Sequence, residues 1–205
     1  MENKKRWIIF SLCLFLSIII TIFVINSRIT ALDNWFYSGL MNYQNNFLTF
    51  YFENITHLGS FIYILIFSGL IIIWSFLKKN QLRYYLLLMI FITALFNQTL
   101  KFIFARPRPE VLDLIVETGY SYPSGHTMMA VSFYGFLICL VYRTKLNIII
   151  KWMSYILLTV IIISVSISRI YLGVHYFSDI ITGSLLSIAI LIFITELMKR
   201  KNYEN

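Results

Sequence analysis

Charge is scarce in this sequence. Only 13% of its residues are Asp, Glu, Lys or Arg, and the acids are the rarer kind, 9 against 17 bases. So little charge cannot cover a soluble surface, and 59% of the residues are hydrophobic, far above soluble usage. The 2 cysteines, Cys13 and Cys139, both fall inside apolar runs, which argues against a disulfide framework and against a thiolate metal site. There is no internal repeat, no low-complexity tract and no glycine pattern of the Rossmann or P-loop kind. No polar stretch is long enough to form a soluble domain.

What is present is apolar sequence in long blocks. Six of them, at 7–26, 60–77, 84–104, 127–143, 149–168 and 177–198, reach about the 20 residues that span a hydrocarbon core. Runs such as LSIIITIFVI and LLTVIIISVSI are apolar on every face, which excludes the alternating strands of a barrel. The expected fold is therefore an all-α integral membrane protein with six transmembrane helices. The first block, behind MENKKR, is longer than a signal-peptide core and SRITALD offers no small-x-small cleavage site. Between the first two blocks, the aromatic stretch 31–52 predicts one interfacial helix on the outer leaflet, anchoring the protein or shaping a lateral entrance for lipid.

Orientation follows from the bases. Lys4, Lys5 and Arg6, then Lys78, Lys79 and Arg83, then Arg143, Lys145 and Lys151, then Lys199, Arg200 and Lys201 all fall on one side of the six crossings. By the positive-inside rule that side is cytoplasmic. The net charge of +8 is thus mostly topogenic, and no nucleic-acid partner is expected. Five bases remain for the outer side: Arg28, Lys101, Arg106, Arg108 and Arg169.

Those outer bases recur at helix ends beside other polar groups. Lys101, Arg106 and Arg108 lie in KFIFARPRPE, stiffened by Pro107 and Pro109, and together suit an anion: ammonium as a point charge, guanidinium as a bidentate fork. Next comes PSGH. Pro123 suits a helix start, the free N–H groups of Ser124, Gly125 and His126 face an anion there, and Gly125 allows close approach. Last is SRIYLGVHYFSD. Arg169 sits where charge is costly, while His175 and Asp179, four residues apart, share a helix face so that the carboxylate can orient the imidazole. A capped helix start and a structural His–Asp hydrogen bond would explain the last two clusters singly. Odd numbers of crossings, however, put all three clusters at one outer face, where cations, N–H donors and two histidines equip the site for metal-free phosphate-ester cleavage. Only Asp179 supplies an acid to this group, too few for a divalent-metal site.

In order and spacing, KFIFARPRP, PSGH and SRIYLGVHYFSD resemble the three signatures of the type 2 phosphatidic acid phosphatase superfamily, and the six-helix topology extends the likeness over nearly the whole chain, 1–205, as a single domain. The resemblance implies His175 as a nucleophile forming a phosphohistidine, Asp179 as its orienting carboxylate and His126 as general acid. It implies Lys101, Arg108, Ser124, Gly125 and Arg169 as the phosphate-binding set, with no cofactor and no metal. Arg106 lies outside the signatures and is either an accessory contact or a solvated loop charge, the latter being the expectation; His57 is expected to be an interfacial hydrogen bonder. Within the family, small bacterial six-helix members act on phosphatidylglycerophosphate, and some on undecaprenyl pyrophosphate or phosphatidic acid, at the outer face of the cytoplasmic membrane. The implied partners are the bilayer and a lipid phosphate, with no obligate protein partner. A phosphotransferase using the same site and an anion or lipid transporter are the alternatives. Against transport stand the absence of repeated halves and the gathering of charge at one face.

Overall fold

Near-continuous hydrophobicity makes helices of most of the chain. The computed structural model describes residues 2–110, 114, 115 and 117–200, and among these the order is α1 (Glu2–Ile25), α2 (Thr30–Met41), α3 (Asn46–Ile55), a 3-10 turn (Thr56–Gly59), α4 (Phe61–Leu77), α5 (Leu82–Phe104), α6 (Gly125–Arg143), α7 (Ile148–Tyr171) and α8 (Phe177–Arg200). There is no strand among the described residues. Lys201, the last of the predicted C-terminal bases, lies outside them.

Five of these helices, α1, α5, α6, α7 and α8, are individually long and apolar enough to cross a membrane. The predicted span at 60–77 is α4, whose 17 residues reach a full span only together with Asn46–Gly59, from which it is bent by 53°. The single interfacial helix predicted over 31–52 is two helices, α2 and α3. Polar residues at 42–45 break it, and Asn45, in extended conformation, caps α3 by accepting from Leu48 N–H at 2.9 Å. Trp35, Tyr43, Phe47 and Phe50 stay exposed along this stretch, as an interfacial aromatic belt requires.

α6 is the axis of the bundle, buried on every face from Thr127 to Phe136 and packed against α5, α7 and α8. Apolar burial does little to associate helices in lipid, so close approach and interhelical hydrogen bonds matter more. A Cβ at Gly135 would meet Leu191 of α8 at 2.8 Å, and one at Gly183 would meet Met128 and the Ser124 carbonyl at 3.2 Å. Thr93 and Ser132 share a hydrogen bond of 3.0 Å, and Ser187 donates to the Met128 carbonyl at 3.0 Å. The outer faces of α1, α4 and α7 carry exposed Ile, Leu and Phe side chains toward the bilayer.

α1 and α8 run side by side, and Arg6 Nε meets Glu196 Oε1 at 2.7 Å. At about 1.5 Å of rise per residue, Glu196 lies roughly one hydrocarbon thickness from His175 along α8. The basic end and the end carrying the three polar clusters are thus opposite ends of the bundle. Both cysteines are free thiols.

Candidate active site

The three clusters meet in one cavity of about 550 Å³, lined by Lys101, Arg108, Gly125, His126 and His175 among others. Each is placed by a helix end. α5 stops at Ala105, whose left-handed backbone (φ 43°) turns the chain away just past Lys101. The following loop is pinned by Ser121, whose N–H donates to the Arg106 carbonyl at 2.9 Å and whose hydroxyl donates to the Pro107 carbonyl at 2.9 Å. α6 begins at Gly125, and the α7–α8 corner, 172–176, carries His175.

His175 is buried. Its Nδ1 lies 3.2 Å from Asp179 Oδ2, and its Nε2 lies 3.4 Å from Arg108 Nη1. Asp179 Oδ2 also accepts from Tyr176 N–H at 3.0 Å, which fixes the carboxylate across the imidazole. Burial holds the His175 ring well below the usual histidine range, and Arg169, Arg108 and Lys101 push the same way. The ring is therefore neutral at neutral pH. With a proton held on Nδ1 by Asp179, the Nε2 lone pair is left toward Arg108 and the cavity.

Arg169 is fully buried, donating to Thr56 Oγ1 at 2.7 Å and to Glu117 Oε1 at 2.5 Å. Arg108 binds the carbonyls of Val174 at 2.8 Å, Thr118 at 3.0 Å and Gly119 at 3.1 Å, and lies 3.6 Å from Glu117 Oε2. Lys101 donates to the Tyr120 carbonyl. Glu117 thus bridges two guanidinium groups beside His175, where an anionic ligand would be drawn. Burial works against its charge, yet Arg169, by charge and hydrogen bond, and Arg108 hold its carboxyl below the ordinary value.

Ser124 is buried and does not line the cavity; its hydroxyl caps α6 by accepting from Thr127 N–H at 3.5 Å. Gly125 does line it, and a Cβ there would come within 3.0 Å of Asn97 Oδ1. Asn97 in turn donates to the Pro123 carbonyl at 3.0 Å, tying the PSGH turn to α5.

Two expectations need correction. Arg106 is not a solvated loop charge: it turns inward to Asp179 Oδ1 at 2.6 Å and Asp33 Oδ2 at 2.9 Å, with Tyr176 stacked 3.8 Å beneath the guanidinium. Nor is Asp179 the sole acid here, since Asp33 and Glu117 join it. Asp33 stands alone as an acid in an aromatic interfacial segment, which was a signal; Glu117 lies in an aperiodic loop and gave none. His57 is exposed, stacks on Tyr63 at 5.7 Å and stays off the cavity. The cavity's apolar wall, Phe61, Ala94, Phe102 and Met129, lies among α4, α5 and α6, so the lipid-facing side is bounded by α4 and α5 and not by the 31–52 segment.

The chain is similar to known proteins in sequence and in fold. The model of the PAP2 superfamily matches residues 82–203. Phosphatidylglycerophosphatase B of Bacillus subtilis is 36% identical over 141 residues, 68% of this chain and 68% of that protein. A dihydrosphingosine 1-phosphate phosphatase of Schizosaccharomyces pombe is 32% identical over 107 residues, 48% of this chain and 26% of that protein. The crystal structure of a transmembrane PAP2 type phosphatidylglycerolphosphate phosphatase from Bacillus subtilis superposes with a TM-score of 0.81 at 25% identity, covering 93% of this chain and 96% of that one. Aquifex aeolicus LpxE superposes with a TM-score of 0.63 at 26% identity, covering 78% and 92%.

Proposed function

This chain belongs to the PAP2 superfamily and is a multi-pass membrane lipid phosphatase, and from that premise we propose that it hydrolyses phosphatidylglycerophosphate, without a metal, at the outer face of a bacterial cytoplasmic membrane. The observation that carries the reading is His175 in the cavity wall, Nδ1 on Asp179 and Nε2 beside Arg108, with His126 lining the same space. The whole chain acts as one catalytic domain, with its first and last helices returning to the cytoplasmic side.

The substrate phosphate takes the place now held by the Glu117 carboxylate. Its oxygens lie among Arg169, Arg108, Lys101 and the N-terminus of α6 at Gly125, where charge developing on them is stabilised, while Ser124, buried and turned to Thr127 and Asp179, shapes that turn without touching the phosphate. The Nε2 lone pair of His175 forms an N–P bond as the ester P–O bond breaks, and the leaving lipid alkoxide takes a proton from His126. Asp179 balances the imidazolium character that His175 gains. In the second half His126, now neutral, takes a proton from water, whose oxygen attacks phosphorus; the N–P bond breaks and inorganic phosphate leaves. Acyl chains lie against Phe61, Ala94, Phe102 and Met129, which favours a lipid over a soluble phosphate ester.

The test is phosphate release by the purified protein in detergent from phosphatidylglycerophosphate, phosphatidic acid and undecaprenyl pyrophosphate, with and without EDTA. Phosphatidylglycerophosphate should be turned over fastest and EDTA should leave the rate unchanged. Faster release from undecaprenyl pyrophosphate would reassign the substrate, and abolition by EDTA would remove the metal-free mechanism.

A further inference from the structure

Of the three bases at the end of α5 and in the loop that follows, Lys101, Arg106 and Arg108, Arg106 alone does not line the substrate cavity. Both of its terminal nitrogens are engaged elsewhere: Nη1 donates to Asp179 Oδ1 at 2.6 Å and to Ser178 Oγ at 2.8 Å, while Nη2 donates to Asp33 Oδ2 at 2.9 Å. Asp33 is buried on α2 and accepts twice more, from Ser178 N–H at 2.8 Å and from Ser178 Oγ at 2.9 Å. The carboxylate oxygens of Asp179 are thereby divided, Oδ1 to Arg106 and Oδ2 to His175 and the Tyr176 N–H.

We propose that Asp33 and Arg106 are positioning residues for catalysis: Arg106 fixes and balances the Asp179 carboxylate behind His175, and Asp33 fixes Arg106. The proposal rests on His175 being the nucleophile and Asp179 its partner. Two buried carboxylates around one guanidinium form a chain of charges of alternating sign that ends on the imidazole. Without the cation, a carboxylate buried as Asp179 is would be costly to keep ionised, and without Asp33 the planar fork loses one of its two anchors. α2 is docked rigidly enough to serve, with Phe36 stacked on Phe177 at 3.5 Å and Leu40 and Met41 packed on the α7–α8 corner. A second cavity of about 120 Å³ is lined by Asp33, Asn34 and Tyr37 together with His175. An interfacial helix is in this way built into the support of the nucleophile.

Such a role lowers kcat and spares KM, since neither residue touches substrate, and it is expressed through Asp179. The experiment measures phosphate release from phosphatidylglycerophosphate, per monodisperse protein in detergent, for Asp33→Asn, Arg106→Lys, Asp179→Asn, Asp33→Asn/Asp179→Asn and His175→Ala. Asp33→Asn should lower kcat by about 10-fold with KM within about 2-fold, and should slow the Asp179→Asn enzyme no further. Arg106→Lys, which keeps the charge but cannot bridge both carboxylates, should show the same kcat-selective loss, and it decides the matter if Asp33→Asn does not fold. Wild-type kcat in either variant, a loss confined to KM, or multiplying effects in the double variant would overturn the proposal. Full activity in His175→Ala would instead overturn the underlying mechanism, whatever Asp33→Asn does.

Discussion

At the scale of single residues, the site depends on His175 being kept neutral among cations. Arg108 lies against its Nε2 and Asp179 against its Nδ1, and burial with the charges of Arg169, Arg108 and Lys101 depresses its pKa. A depressed pKa means that the ring stays unprotonated as pH falls through about 6.5, where an ordinary imidazole takes up its proton. Nitrogen NMR of histidine-labelled protein, with the His175 signal assigned by its loss in His175→Gln, should show the ring still neutral where an ordinary imidazole is already half protonated; titration at the ordinary value would contradict the geometry. His126, His175 and Asp179 were legible because a four-residue spacing on a helix and a PSGH helix start carry local meaning. Arg106 was misread because its own neighbours, Pro107 and Pro109, say loop, while both of its carboxylate partners lie 73 residues away in sequence. Glu117 was missed for the same reason: only folding brings it to Arg169.

Among the elements, α6 decides where the site stands. Its N-terminus is drawn onto α8 by small residues: Gly183 leaves room for Met128 and the Ser124 carbonyl, and Ser124 N–H reaches the Asp179 carbonyl at 3.2 Å. Gly183→Val should push the two helix ends apart. The expected result is a loss of kcat/KM of roughly 10- to 100-fold, from displacing His126 relative to His175, together with a lower thermal unfolding temperature in detergent. Wild-type activity in that variant would mean that the contact does not position the site. The spans were legible from sequence because hydrophobicity on all faces leaves no other structure for them in lipid. The break between α2 and α3 was not, because the aromatic pattern runs straight through residues 42–45; the first helix ends at Met41, and the Asn45 cap, its N–H 3.4 Å from the Tyr171 hydroxyl, starts the second.

For the molecule as a whole, the charge pattern and the site are two consequences of one topology. Helices crossing in alternation return the bases to one end, where Arg6 meets Glu196, and deliver Lys101, Gly125 and His175 to the other. Single cysteines placed at Thr118 and at Asn147 should therefore differ in intact cells: the first reacts with a membrane-impermeant maleimide and the second only after lysis. The reverse pattern would invert the orientation. The central claim is a covalent phosphoryl group on His175. Rapid alkaline quenching during turnover of phosphatidylglycerophosphate, followed by peptide mass spectrometry, should find phosphohistidine at His175, absent from His175→Ala. A turning-over enzyme with no phosphate on His175, or with it on His126 instead, would contradict the mechanism.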